Sequence, residues 1–165
     1  MSRSGRSRAR LVTAAATIGT VVFLAWAPAA VAQDDVAAGQ RIWKNKAGCP
    51  ACHGWAGDGF ASGFHNQGGL PLRKTQLTRD QICMTIQCGR PGTAMPHFDR
   101  FAYTDKRCYG MTEKDLGNQL PDRAPTTLQA FEMDAVADYV ATILKGAGPV
   151  TRAQCFAFFG QGADV

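Results

Sequence analysis

Apolar residues recur at helical spacing through most of this chain, and no stretch alternates long enough to make a convincing β-strand. Val36, Ala37, Ile42, Trp43 and Ala47 mark a helix over Asp35–Ala47. Thr78, with Gln81 three residues later, has the capping-box pattern and opens a second helix to about Cys88, where Gly89 is its natural stop. Thr126 and Gln129 repeat that pattern before LQAFEMDAVADYVATILK, whose Phe131, Val136, Tyr139, Val140 and Ile143 are expected on one buried face and which Gly146 closes. Residues 54–77 are rich in glycine and suit a wrapping loop better than a long regular element. The pattern predicts a single all-α domain with no internal repeat.

The N-terminal pattern is different. A basic stretch containing Arg3, Arg6, Arg8 and Arg10 precedes a run without charge from Leu11 to Ala32. Ala30-Val31-Ala32 fits a small-x-small cleavage site, Pro28 stands just before it, and Gln33-Asp34-Asp35 begins a polar mature chain. Residues 1–32 are therefore expected to be a secretory signal peptide. The alternative is an uncleaved anchor, since the run is long enough to span a bilayer.

Charge changes meaning once the leader is set aside. The chain holds 18 Lys and Arg against 13 Asp and Glu. The leader's four arginines leave 14 basic residues against 13 acidic, so the formal charge falls from +5 to +1. That removes the case for nucleic-acid binding.

The chemistry lies in Cys49-Pro50-Ala51-Cys52-His53. In C-x-x-C-H the two thiols add to the vinyl groups of a heme, and the adjacent histidine ligates the iron from one face. A shuffled chain of this composition would hold about 0.003 such matches. A thiol–disulfide redox pair would follow a strand, and none is predicted. A zinc site would need a second close pair of ligands, whereas Cys83 and Cys88 are too widely spaced and His65 and His97 are isolated.

His53 leaves a sixth iron position to fill. Met95 is the favoured ligand, because Gly89-Arg90-Pro91-Gly92-Thr93-Ala94-Met95-Pro96 is a Gly/Pro-rich loop that can present a thioether rigidly. His97 and His65 remain as alternatives for bis-histidine ligation. Met84 and Met111 are weaker candidates, and Met84 and Met133 sit in helical patterns where methionine fills core.

With Gly39 and Trp43 in the first helix, CPACH, GRPGTAMP and a last helix carrying Tyr139, the chain resembles a class I c-type cytochrome over about residues 34–97 and 126–146. The resemblance implies three to five helices around one covalent heme c. It also implies a crossing of the first and last helices at Gly39 and Tyr139, and a carbonyl from a Pro-containing turn holding the proximal imidazole. Pro71 is the residue expected in that turn, and Arg90 is a further candidate to support the heme from outside the ligand set.

The cytochrome domain is then 33–146, with an insertion at about 98–125 and a C-terminal tail at 147–165. Cys83, Cys88, Cys108 and Cys155 remain after heme attachment, an even number suited to an oxidising compartment. The expected pairs are Cys88–Cys108 and Cys83–Cys155, pinning insertion and tail to the second helix, with buried free thiols as the alternative.

An iron filled by His53 and Met95 has no open position, which points to one-electron transfer. Trp43, Trp55, Phe98 and Phe101 are expected to shield the heme, and Arg73, Lys74, Arg79, Arg100, Lys106 and Arg107 to form a positive rim for an acidic partner. The expected protein is a periplasmic carrier, taking electrons from a dehydrogenase, for instance a quinoprotein alcohol dehydrogenase, or from a membrane oxidoreductase, and passing them toward a terminal oxidase. Two alternatives stand: the heme subunit of a permanent complex, and a heme enzyme or gas binder with a labile sixth ligand. No acid–base or nucleophilic constellation and no phosphate loop is present.

Overall fold

The computed structural model describes residues 33–60 and 68–160. The leader and His65 lie outside the described residues, as does the end of the tail. α1 (Gln33–Arg41) continues into a π-helical turn, Ile42–Lys46, and α2 (Pro50–His53) is a single turn over the C-x-x-C-H motif. α3 (Arg79–Cys88), a one-turn α4 (Glu113–Leu116), α5 (Ala130–Tyr139) with its own π-helical turn Val140–Leu144, and α6 (Arg152–Phe159) follow. Among the described residues there is no strand, only isolated bridges at His97–Arg123 and Cys108–Met111. α1, α3, α5 and α6 are the elements longer than one turn, so the all-α expectation holds, and no described helix is long and apolar enough to cross a membrane.

α3 begins where its capping box requires: the Gln81 amide donates to Thr78 Oγ1 at 3.2 Å and the Thr78 amide donates to Gln81 Oε1 at 2.8 Å. The box expected at Thr126 is not used. α5 starts later, at Ala130, because Glu132 reaches back to accept the Gln129 N–H at 2.8 Å. Its buried stripe is rotated accordingly. Met133, Val136, Ala137, Tyr139, Val140 and Leu144 face the core, while Phe131 is 70% and Ile143 44% exposed, against expectation.

The main packing is α1 against α5, with α3 laid on α5. Trp43, Ile82, Ile86, Phe98, Leu128 and the α5 stripe form one core, in which Trp43 is only 2% exposed. Removing such a side chain from water is worth roughly 1.5–3 kcal/mol. At the start of α3, Arg79 grips α5 by ion pairs of 2.8 Å to both Asp134 and Asp138.

The described residues of the expected insertion and tail, 98–125 and 147–160, pack against the rest of the chain. A second, smaller core of Cys88, Ala102, Tyr103, Cys108 and Leu116 lies under the insertion, and a Cys88–Cys108 disulfide joins it to the end of α3. The other expected bridge is absent. Cys83 faces Asp134 across the α3–α5 interface, with Sγ 3.5 Å from Oδ1, and Cys155 is a buried free thiol on α6. The tail is held by other means. Trp55 packs edge-on against Phe159 and at a tilt against Phe158, and Lys44 donates to the Phe158 carbonyl at 2.8 Å. Arg73, only 8% exposed, donates to the carbonyls of Ala56, Ala147, Gly148 and Pro149 and to Gln154.

Candidate functional site

Cys49 caps α2 and Cys52 lies one residue before its end, so one helical turn sets both sulfurs and His53 on the same short segment. Both cysteines are free thiols. Desolvation pushes the Cys49 thiol up to about 12, so it is held neutral in an apolar setting, where a neutral thioether also fits.

His53 is oriented from behind. Its Nδ1 lies 3.0 Å from the Leu70 carbonyl oxygen, which fixes Nδ1 as the protonated nitrogen and leaves Nε2 as the free donor toward a metal. Burial lowers its pKa from the ordinary 6.5, and the Leu70 carbonyl only partly offsets this, so the ring is neutral as a ligand must be. The holding carbonyl therefore belongs to Leu70 and not to Pro71. Pro71 has no N–H to spend and its fixed φ of −67° shapes the turn, but it is the preceding residue whose oxygen is aimed at the ring.

The glycines of this loop have a physical reason. A β-carbon on Gly69 would stand 2.6 Å from His53 Nδ1 and 2.8 Å from Cε1, so only glycine lets the backbone lie against the imidazole. The Gly69 amide also donates to the Cys52 carbonyl at 2.6 Å, tying the loop to α2.

In the loop that follows α3, Met95 sits in a turn fixed by Thr93 N–H to the Arg90 carbonyl and Arg90 N–H to the Met95 carbonyl, each 3.1 Å. Met95 packs on the same core cluster as Cys49 and Leu72, and Trp43 of that cluster has its ring centroid 6.0 Å from that of His53. His97 is committed elsewhere. It is buried, its Nδ1 is 2.8 Å from the Asp99 carbonyl oxygen, and its ring meets Tyr103 edge-on.

The residues fit a heme by their donor chemistry: two free thiols, a neutral imidazole with its tautomer set, and a thioether on one apolar cluster. A buried polar atom agrees with this, since Trp43 Nε1, beside His53, has no hydrogen-bond partner among the described residues. An open cavity of about 570 Å³ lies next to the Met95 loop, within the roughly 300–1,000 Å³ usual for cofactor sites. Segment 75–77, Thr85 of α3, Arg90 and Thr93 of the loop and Tyr109 and Met111 of the insertion wall it. Neither His53 nor Met95 lines it, so the donor set and not this cavity marks the site. Arg90 is exposed at its rim, and among the described residues its side chain makes no hydrogen bond or ion pair.

The expected positive rim does not form as drawn. Arg73 is buried in the tail junction, Arg79 is paired with α5, and Arg107 is paired with Asp105 at 2.7 Å and Asp99 at 3.4 Å. Lys74, Arg100 and Lys106 remain exposed. Of the aromatic shield, Trp43 and Phe98 are buried and Trp55 half-buried. Phe101 is exposed beneath the Arg100 guanidinium, 4.5 Å from its ring centroid.

Sequence reasoning missed Leu70, the use of Arg73 and the reach of the insertion tyrosines. Leu70 carried a signal, because the residue before a proline is pushed to extended backbone and can aim its carbonyl outward.

No family model and no curated protein matches the sequence. Among solved structures, the chain is similar to one in the reducing HAO-like protein complex of Kuenenia stuttgartiensis, with a TM-score of 0.48, 16% identity, and coverage of 69% of this chain and 46% of that one. The chain thus spans about half the length of that neighbour. It is also similar to oxidised cytochrome c6A from Arabidopsis thaliana, with a TM-score of 0.45, 20% identity, and coverage of 71% of this chain and 97% of that one.

Proposed function

We propose that this chain is an electron-transfer protein carrying one covalent heme c, whose iron His53 and Met95 would ligate. The observation that carries the reading is the His53 ring held at Nδ1 by Leu70 beside two free thiols one helical turn apart. A bound heme would supply a one-electron ferric/ferrous couple, taking an electron from a donor and giving it to an acceptor.

The protein's own residues do the rest. Cys49 and Cys52 anchor the group, Leu70 fixes the imidazole's tautomer and angle, and Trp43, Leu72 and the α5 stripe keep water from the site. An apolar surround and a soft thioether both disfavour the extra ferric charge and raise the potential. With Met95 held in place no coordination position is open, which favours carrier over enzyme.

The leader's pattern and an internal disulfide support export to the periplasm, with a dehydrogenase or membrane oxidoreductase as donor and an oxidase as acceptor. The test is a visible spectrum of the periplasmically expressed protein, oxidised and reduced, beside Met95→Ala and a Cys49→Ala/Cys52→Ala pair. A sharp reduced α band in the wild type, heme lost on denaturing extraction of the cysteine pair, and loss of the weak near-infrared ferric band in Met95→Ala are expected. A chain that matures without covalent heme overturns the reading.

A further inference from the structure

The insertion grips the backbone immediately before the Met95 loop from several independent directions. Tyr103 Oη donates to the Cys88 carbonyl at 2.7 Å, Tyr109 Oη donates to the Gly89 carbonyl at 2.9 Å, and Cys88 is bonded to Cys108. Farther along, the Gly92 amide donates to the Gln119 carbonyl at 2.8 Å and the His97 amide to the Asp122 carbonyl at 3.0 Å.

The grip passes directly to the methionine. A β-carbon on Gly89 would lie 2.7 Å from the Met95 carbonyl oxygen and 2.8 Å from the Pro96 carbonyl carbon, so the end of α3 and the Met95–Pro96 backbone are in close contact. Movement at Gly89 is movement at Met95. Both tyrosines, moreover, sit at positive φ, 62° for Tyr103 and 55° for Tyr109, a region that non-glycine residues rarely occupy and that persists only where the surroundings demand it. Two strained residues in one short segment, each with its hydroxyl on an adjacent carbonyl, are more than the insertion needs to cover its own small core.

We propose that the insertion is a clamp that holds the loop of the sixth ligand in its ligating position, with Tyr103 and Tyr109 as positioning residues. This rests on the assignment of Met95 as ligand. The clamp keeps the loop from swinging away and so denies the iron to small external ligands, which separates a carrier from a heme protein with an exchangeable site.

The experiment uses the full heme-loaded chain with Tyr103→Phe, Tyr109→Phe and Cys88→Ser/Cys108→Ser. In each, the near-infrared ferric band assigned by Met95→Ala is recorded, together with the affinity of the ferric protein for added imidazole and the melting temperature. Each tyrosine variant is expected to keep its heme and its melting temperature within a few degrees, yet to bind imidazole about 2- to 10-fold more tightly, the range of one lost hydrogen bond. The disulfide pair is expected to exceed tenfold; if it fails to fold, the tyrosine variants decide alone. Unchanged imidazole affinity in both tyrosine variants overturns the clamp. A wild type with no Met95-dependent band overturns the ligand assignment instead. The hold of the tyrosines on the loop is then read separately, from hydrogen exchange at the Arg90, Gly92 and His97 amides of the same heme-loaded proteins, which quickens in the tyrosine variants if they hold the loop and is unchanged if they do not.

Discussion

Gly39 on α1 and Ala135 on α5 meet backbone to backbone: a β-carbon at Gly39 would lie 2.6 Å from the Ala135 carbonyl carbon and 2.8 Å from Tyr139 Cβ. Neither neighbour is a flexible side-chain end that can turn aside. The contact sets how closely the helices approach, and with it the position of Trp43, one turn further on, against both Tyr139 and His53 at 6.0 Å. Gly39→Ala gains helix propensity but must part the two helices. It is expected to cost about 3 kcal/mol, at the upper end of overpacking penalties, read from the urea midpoint at constant m.

The crossing was legible through the resemblance to class I c-type cytochromes, which implies a small residue where the first and last helices meet; the helical periodicity by itself gave the two helices and not their contact. The helical turn over C-x-x-C-H was legible because its spacing fits one turn, which sequence states directly. What sequence could not state were choices between near neighbours. Glu132 was able to cap from Gln129 and so displaced the Thr126 box, turning Phe131 outward. Leu70 and not Pro71 presents its oxygen to His53, a matter of one peptide orientation. Cys155 was expected to bind the tail to α3, but Arg73 found four carbonyls and an amide on the way, and no pattern of residue types announces such a set.

Glu132 gives the fold an acid dependence. Burial alone would push its carboxyl up, but the Gln129 N–H and Lys46, whose Nζ is 2.6 Å from Oε2, more than offset this and hold it below its ordinary value. A carboxyl depressed on folding stabilises the folded state fully above its unfolded pKa of about 4.3, and that contribution fades as pH falls through the lower folded value. Glu132→Gln is expected to flatten the loss of stability below about pH 4.3 while lowering stability at pH 7 by about 1 kcal/mol. Urea unfolding of both proteins at pH 3 and pH 7 checks it; parallel losses would reject the assignment.

Gly69→Ala tests the support of the imidazole. The added methyl would meet His53 Nδ1 and Cε1 and tilt the ring off the Leu70 carbonyl, while on the proposed function Cys49 and Cys52 would still attach heme. Heme content is expected to stay near that of the wild type, while the proximal bond weakens by about 1–3 kcal/mol, the usual scale of overpacking. The ferric spectrum should then show a high-spin component growing with temperature well below the unfolding transition. An unperturbed low-spin spectrum up to unfolding would show that the loop yields instead of the ring.

Arg73 carries the last prediction, because a buried cation held by neutral carbonyls has no substitute of similar shape. Its five hydrogen bonds, made by Nε, Nη1 and Nη2, are spread over Ala56, the 147–149 segment and Gln154, and its own carbonyl accepts the Gly146 N–H at 3.0 Å. Arg73→Leu removes the donors and leaves several carbonyls at the tail junction without partners, each costly when buried. Arg73→Lys keeps the charge but cannot reproduce the planar fork. Both are expected to lose about 2–4 kcal/mol, with lysine recovering no more than about 1 kcal/mol. Hydrogen exchange should localise the loss: amides of 146–160 and of the segment after α2 exchange faster, while those in the middle of α3 and α5 stay protected up to global unfolding. Uniform loss of protection would mean that the tail is part of the cooperative core, with Arg73 stabilising the whole domain instead of stapling the tail to it.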